Sequence, residues 1–166
     1  MLRPMTFRAK AMVAALVAAS AVTGLLARSG FNWDELEAID LKWPQATATS
    51  TGLRYVVLQE GRGEAPKAGD QVSVLYKGMF FNGEAFDQAQ DPAKPFVFRL
   101  GRGQIISGWE EGIAMMRVGE KRILLVPYDL AYGSRGQPPR IPRRTSLVFE
   151  VEMLKIEPNP ALASSK

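Results

Sequence analysis

The order of its β-rich and helical segments constrains the fold of this chain most. Runs rich in β-branched and aromatic residues recur at residues 53–59, 71–81, 96–98, 123–126 and 147–153, with turn residues between them. One helical pattern interrupts them, in which Trp109, Ile113 and Met116 fall on one face. Strands and helices do not alternate as in a parallel βαβ sheet. The sequence predicts an α+β fold, a twisted antiparallel β-sheet of about five strands wrapped around one short α-helix.

Two helix starts are predicted from capping patterns. Ser107 and Glu110 have the spacing of a capping box at the start of the main helix. Asn32 and Glu35 have the same spacing before a shorter segment, whose apolar stripe consists of Trp33, Leu36, Ile39 and Trp43. Two interpretations of this stripe stay open: it packs on its own domain, or it contacts another protein or the membrane surface.

The first 27 residues have the composition of an export segment. Arg3, Arg8 and Lys10 precede a stretch from 11 to 27 without charged residues, and Ala19-Ser20-Ala21 offers a small-x-small cleavage pattern. A cleaved signal peptide, an uncleaved membrane anchor and a transit sequence stay open as interpretations. The first two predict an exported protein, periplasmic or otherwise extracytoplasmic, with a membrane tether through residues 11–27 if the anchor is kept.

The chain is predicted to divide into four parts. Residues 1–27 form the signal peptide or anchor, and residues 28–52 form the short amphipathic helix followed by a polar linker from Gln45 to Thr51. Residues 53–157 form the folded domain, and residues 158–166 form a flexible tail. The linker region is too short for a further helical dimerisation segment, so a monomer is predicted.

The composition excludes several classes of site. The chain contains neither cysteine nor histidine, which removes disulfides, thiolate nucleophiles and Ser-His or Cys-His arrangements. No metal site and no cofactor are predicted. The formal net charge of +4 comes mainly from the leader, and basic and acidic residues nearly balance in the domain. Nucleic-acid binding is therefore not predicted.

Six segments of the domain carry aromatic residues in a fixed order. They are VSVLYKGMF, GEAFDQA, KPFVFRLG, IISGWEEG, DLAYG and LVFEVEMLKI. Each residue taken singly fits ordinary core packing, but the six segments in this order resemble the FKBP-type peptidyl-prolyl cis-trans isomerases. The resemblance extends from Leu53 to Glu157. It implies the fold predicted above and an isomerase acting on X-Pro bonds without metal or cofactor.

The same resemblance implies an apolar pocket and assigns its residues. The catalytic group is Tyr76, Phe86, Asp87, Trp109, Tyr132 and Phe149, and the substrate-binding group is Phe96, Ile105, Ile106 and Ile141. Trp109 is expected to floor the pocket. The backbone N–H of Ile106 and the hydroxyl of Tyr132 are expected to donate to peptide carbonyls, and Asp87 is expected to orient the rim.

This reaction suits a chain that lacks the usual nucleophiles. Isomerisation of an X-Pro bond is slow because rotation breaks amide resonance, a barrier of roughly 18–20 kcal/mol. The planar amide is more dipolar than the twisted one, so an apolar pocket that strips water from the carbonyl favours twisting. The predicted function is folding of exported proteins. The alternative is a non-catalytic chaperone or adaptor module of the same fold, which would be tethered to the membrane if the anchor is kept.

The match to the family is weakest in the loop from Ser134 to Arg144. Gln137 stands where histidine is frequent, and Pro92 stands where the family often has an arginine that could pair with Asp87. The four arginines of the loop either favour acidic residues beside the substrate proline or form a solvated basic surface. Predicted partners are proline-containing polypeptides and macrolide inhibitors.

Overall fold

A computed structural model describes residues 30–160, which form two α-helices and seven strands. In chain order the elements are α1 (Trp33–Lys42), β1 (Thr47–Ala48), β2 (Arg54–Gln59), β3 (Gln71–Met79), β4 (Ala85–Ala89), β5 (Phe96–Arg99), α2 (Ser107–Ala114), β6 (Lys121–Val126), a 3₁₀ turn (Tyr128–Leu130) and β7 (Leu147–Glu157). Across residues 30–160, no helix is both long and apolar enough to cross a membrane. The predicted leader, and all but the first residues of the predicted tail, lie outside the described residues.

All seven strands form one antiparallel sheet, in the order β1-β2-β6-β7-β3-β4. One edge of β3 pairs with β7. The opposite edge pairs with β5 along the first half of β3 and with β4 along the second half. The predicted α+β class is confirmed, but the sheet has seven strands rather than about five. The two additional strands are β1, which lies inside the predicted linker, and β4, which carries few β-branched residues and forms by pairing with β3 beyond the Asn82-Gly83 turn.

Helix α2 packs against one face of the sheet at very close range. Trp109, Ile113 and Met116 are all buried, as predicted for one face of this helix. A Cβ atom at Gly112 would lie 2.7 Å from a methyl carbon of Leu124 on β6, far inside van der Waals contact. Glycine at this position therefore lets the helix backbone approach the sheet closely enough to bury the tryptophan.

The capping box predicted at the start of α2 is wrong. Ile106 is the N-cap residue, its side chain makes no capping bond, and Ser107 is already the first helical residue. The carboxylate of Glu110 accepts the backbone N–H groups of Gly101 and Gly103 instead, the latter at 3.0 Å. Because Ser107 lies inside the helix rather than at its N-cap, Glu110 orders the preceding loop rather than the helix terminus.

Helix α1 covers the opposite face of the sheet. Its predicted capping box is confirmed: Asn32 Oδ1 accepts from the Glu35 N–H at 2.8 Å, and Glu35 Oε2 accepts from the Asn32 N–H at 2.9 Å. Ile39 is 1% exposed and packs with sheet residues, joined by Leu36 and Trp43. Thus the stripe packs on its own domain. The exception is Trp33, which is 62% exposed and does not belong to the buried stripe.

A buried hydroxyl connects α1 to the segment that leads into the candidate site. Ser146 is 1% exposed. Its Oγ donates to Glu35 Oε2 at 3.0 Å and accepts from the backbone N–H of Tyr128 at 3.2 Å. Removing the hydroxyl leaves the Tyr128 N–H without this acceptor.

We expect Ser146→Ala to lower the free energy of unfolding by about 1–3 kcal/mol, the cost of a buried polar group that loses its partner. Urea denaturation measures this change through the transition midpoint. Ser134→Ala is the control, because Ser134 is exposed, and it should change stability by less than about 0.5 kcal/mol. Equal midpoints for the wild type and Ser146→Ala would contradict the assigned role.

Candidate functional site

A cavity of about 520 Å³ opens beside the first turn of α2. The residues that line it come from β3, β4, β5, β7, the first turn of α2, the loop before α2 and the loop after β6. Nine of the ten predicted site residues line it: Tyr76, Phe86, Asp87, Phe96, Ile105, Ile106, Trp109, Tyr132 and Phe149. The segments that carry these residues are far apart in the sequence, and the folding of the sheet brings the nine side chains together around one cavity.

Strand register places three of the walls around Gly78. On β3, Gly78 pairs with Asp87 of β4 on one side and with Phe149 of β7 on the other. A Cβ at Gly78 would lie 2.7 Å from Phe86 Cζ and 2.9 Å from Phe149 Cε1. Glycine therefore leaves the space in which these two rings meet edge to face, with centroids 5.8 Å apart.

Trp109 forms the floor of the cavity. Its indole is 4% exposed and meets Tyr76, Phe149 and Phe96 edge to face, with centroids 5.0, 5.2 and 6.0 Å away. Aromatic pairs at these distances contribute about 0.5–1.5 kcal/mol each beyond the area they bury. Phe96 is 37% exposed, so it forms the outer wall of the mouth. The floor and walls are thus one packed aromatic cluster.

Asp87 is the one acidic residue that lines the cavity, and its carboxylate is held by three groups. Oδ2 accepts from the Tyr76 hydroxyl at 2.8 Å, and Oδ1 accepts from the Gln88 N–H at 3.0 Å. The guanidinium of Arg140 lies 3.6 Å from Oδ1. Arg140 thereby provides a cationic partner for Asp87 in a chain whose position 92 is proline. The sequence prediction missed this pair because 53 residues separate the two positions.

Both phenols of the site stay protonated well above neutral pH. Burial, followed by the hydrogen bond to Asp87, raises the pKa of Tyr76 far above its usual value. Burial, followed by the charge of Asp87, also raises the pKa of Tyr132. Arg140 opposes both rises and does not cancel either. A protonated phenol donates a hydrogen bond, so the Tyr132 hydroxyl remains a donor at the rim.

The raised pKa values give a pH prediction. A folded-state pKa above the unfolded value means that the native state binds more protons than the unfolded state above pH 10, so stability falls there as pH rises. Below pH 10 this contribution is fully present. We expect any activity that depends on these two hydroxyls to stay level from pH 7 to about pH 9.5. Tyr76→Phe should lose less stability than the wild type between about pH 10 and 12, measured by denaturant midpoints. Equal losses would contradict the assignment.

Ile141 does not line the cavity, unlike the other predicted residues. It is 1% exposed and packs in the core beneath the loop. Its backbone N–H and carbonyl pair with Gln137 at 2.9 Å each, which makes the segment 137–141 a small hairpin. The buried side chain anchors this hairpin.

Five residues that sequence reasoning did not identify also line the cavity: Gly103, Gln104, Ser107, Ala131 and Gln137. All of them except Ser107 belong to loops, and the resemblance assigned none of the five a role in the pocket.

This arrangement suits binding and desolvation of an apolar ring. No histidine, cysteine or pair of carboxylates lines the cavity. Residues 30–160 contain no group of three or more acidic side chains placed to hold a metal ion. What the cavity provides is an apolar floor, aromatic walls and a protonated phenol at the rim. Such a site can act on a bond that isomerises without a nucleophile.

Comparisons with known proteins agree with this geometry. Residues 62–154 match the family described as FKBP-type peptidyl-prolyl cis-trans isomerase. Peptidyl-prolyl cis-trans isomerase Fkbp12 of Drosophila melanogaster is 44% identical over 107 residues, which cover 64% of this chain and 99% of that protein. FK506-binding protein 4 of Dictyostelium discoideum is 42% identical over 122 residues, which cover 72% of this chain but only 33% of that longer protein.

A solved structure agrees as well. The crystal structure of AtFKBP13 superposes with a TM-score of 0.63 and 32% sequence identity, and the match covers 66% of this chain and 97% of that one. Fold, site and sequence match lead to the same family, and the resemblance carried by the six aromatic segments is confirmed. This chain belongs to the FKBP-type peptidyl-prolyl cis-trans isomerase family.

Proposed function

We propose that this protein accelerates cis/trans exchange at X-Pro bonds in polypeptide substrates through the cavity floored by Trp109. The observation that carries the proposal is the packed aromatic cluster that forms the floor and walls of an open cavity of about 520 Å³. A proline ring is compact and apolar, and it fits against an indole without any covalent step. The reaction therefore needs only binding, orientation and removal of water.

The catalytic effect has two physical sources. The planar amide is more dipolar than the twisted transition state, so an apolar site that removes water from the carbonyl favours the twisted form. One hydrogen-bond donor aimed at the displaced carbonyl contributes a few kcal/mol at most. In this chain the family resemblance assigns the donors to the Ile106 N–H and the Tyr132 hydroxyl. The raised pKa of Tyr132 keeps its hydroxyl available as a donor.

A protease-coupled assay on a proline tetrapeptide tests this function. We expect the isomerisation rate to rise in proportion to protein concentration. Tyr132→Phe, which removes the rim donor and keeps the ring, should lower kcat/KM about tenfold, equivalent to about 1.4 kcal/mol. A rate equal to that in buffer at micromolar protein would overturn the proposal. Peptide binding without acceleration would instead indicate the non-catalytic module.

We propose that the chain is exported and that its clients are proteins folding outside the cytoplasm. Support comes from the sequence of residues 1–27, which places basic residues before an uncharged stretch and a small-x-small pattern. Intact mass of the protein from fractionated cells tests this. A soluble extracytoplasmic form shortened by about 21 residues is expected from the cleavage pattern. Full-length protein in the membrane fraction would indicate a tether, and cytoplasmic protein would contradict export.

We further propose that the cavity binds macrolides such as FK506, also called tacrolimus, or rapamycin. The name of the Dictyostelium relative states FK506 binding for that protein. The aromatic floor and walls of the cavity favour the same ligand class here, while the basic loop from Ser134 to Arg144 should weaken contacts made outside the pocket. Titration calorimetry should show that the macrolide binds and that Phe96→Ala weakens this binding. In the isomerisation assay, the macrolide should inhibit peptide turnover competitively. Unchanged activity with excess macrolide would contradict this proposal.

We also propose that the protein is a monomer, and sedimentation at micromolar protein concentration tests this.

A further inference from the structure

Arg140 holds an unusual position for a basic residue of a solvent-exposed loop. It precedes the buried Ile141 in the hairpin 137–141, and Gln137 at the other end of that hairpin lines the cavity. The hairpin therefore fixes the backbone of Arg140 close to the mouth. Its guanidinium lies 3.6 Å from Asp87, a lining residue contributed by β4. The cation thus stands at the rim that a substrate must cross.

The contact with Asp87 does not use up the hydrogen-bonding capacity of Arg140. At 3.6 Å the two charged groups are farther apart than in a direct hydrogen bond. The carboxylate already accepts from Tyr76 and from the backbone N–H of Gln88. Among residues 30–160, this ion pair is the one polar contact that the Arg140 side chain makes. A guanidinium has five N–H donors, so most of them remain available to a ligand.

The charges around the mouth favour a negative ligand. Among the described residues, Asp87 is the one acidic residue that lines the cavity; Arg140 offsets its charge, and the Tyr76 hydroxyl donates a hydrogen bond to it. The carboxylate of Glu110, on the first turn of α2, accepts two backbone N–H groups. Arg135, Arg143 and Arg144 add positive charge in the loop that carries the hairpin, and no acidic residue occurs between 130 and 149.

We infer that Arg140 is a specificity-determining residue, and that this site prefers prolines flanked directly by aspartate or glutamate. The inference rests on the proposed isomerase function and names its substrate class. A carboxylate beside the proline comes within reach of the free donors of Arg140 while the ring occupies the cavity over Trp109. Arg140 is not part of the reacting site itself. It acts on binding of the flanking side chain and so on kcat/KM.

Exchange NMR on matched peptides tests the inference without a protease. Peptides that differ only by glutamate or glutamine, placed before or after the proline, isolate the charge. For wild type in low salt, at least one flank should show about a threefold higher kcat/KM for glutamate, the scale of an exposed ion pair. The ratio should approach one near 1 M salt, where screening is strong.

Two variants separate Arg140 from the general charge of the loop. Arg140→Gln should reduce the glutamate-to-glutamine ratio to about one, while Arg135→Gln removes the same charge from the same loop and should keep the ratio. Two outcomes would overturn the inference, provided that the protein still accelerates the glutamine peptides. One is a glutamate-to-glutamine ratio of kcat/KM at or below one on both flanks in the wild type. The other is a preference for glutamate that persists in Arg140→Gln. If neither peptide is accelerated, the proposed isomerase function fails, and the inference fails with it.

Discussion

Replacing Trp109 with alanine is expected to lower kcat/KM for a proline peptide by about 100-fold, equivalent to about 2.7 kcal/mol. The indole is both the floor of the cavity and the centre of the aromatic cluster, within 5.0–6.0 Å of Tyr76, Phe149 and Phe96. Without it, water enters beneath the proline ring and the walls lose their common contact. The free energy of unfolding should also fall, by about 3–5 kcal/mol, as for other truncated core aromatics.

Two further variants separate the site from the fold. Trp109→Phe keeps an aromatic floor and should retain measurable activity together with most of the stability. Trp33→Ala removes the same side chain from α1, where it is 62% exposed, and should change neither activity nor stability measurably. Activity within twofold of wild type for folded Trp109→Ala would contradict the role of the floor. Circular dichroism at the assay temperature establishes that the variant is folded.

Replacing Arg122 with methionine is expected to lower the free energy of unfolding by about 3–5 kcal/mol. Arg122 is buried, its Nε donates to Glu120 Oε1 at 2.7 Å, and its guanidinium carbon lies 4.4 Å from the centroid of the Tyr55 ring. It also donates to carbonyls at the end of α2, including that of Gly112 at 3.4 Å. The variant leaves the Glu120 carboxylate buried at 1% exposure without its cation.

A double-mutant cycle tests whether the loss comes from the unpaired charge. Glu120→Gln combined with Arg122→Met removes the charge from both positions and should be more stable than Arg122→Met alone. The surface pair of Lys121 and Glu152 is the control, because both side chains are partly exposed. Lys121→Met should cost less than about 1 kcal/mol. A double variant less stable than Arg122→Met would contradict this explanation.

Periodicity and turn chemistry were sufficient to predict the class of the fold. The runs that became β2, β3, β5, β6 and β7 are rich in β-branched or aromatic residues, and the buried face of α2 followed the helical spacing. What the sequence did not predict depends on tertiary pairing. Strand β4 forms because β3 offers an edge beyond the Asn82-Gly83 turn, although β4 has no β-branched residue and Phe86 is its one residue with high β-propensity.

The residues of the candidate site also divide into those that were predicted from the sequence and those that were not. The family resemblance assigned Trp109, Phe149 and Tyr132 to the pocket, and the folded chain brings them together there. Ile141 is expected in the cavity but packs in the core, because its loop forms a hairpin whose direction no local pattern specifies. The contact between Asp87 and Arg140 depends on the same hairpin. Loop conformation is thus the part of the site that local sequence patterns do not determine.

The central claim is that the cavity over Trp109 isomerises X-Pro bonds. Exchange NMR on an Ala-Pro peptide at equilibrium tests it most directly, because no protease and no folding client is involved. We predict that micromolar wild-type protein and Trp33→Ala accelerate cis/trans exchange equally, and that Trp109→Ala accelerates it about 100-fold less. An exchange rate with wild-type protein equal to that of the peptide alone, or undiminished with folded Trp109→Ala, would contradict the claim.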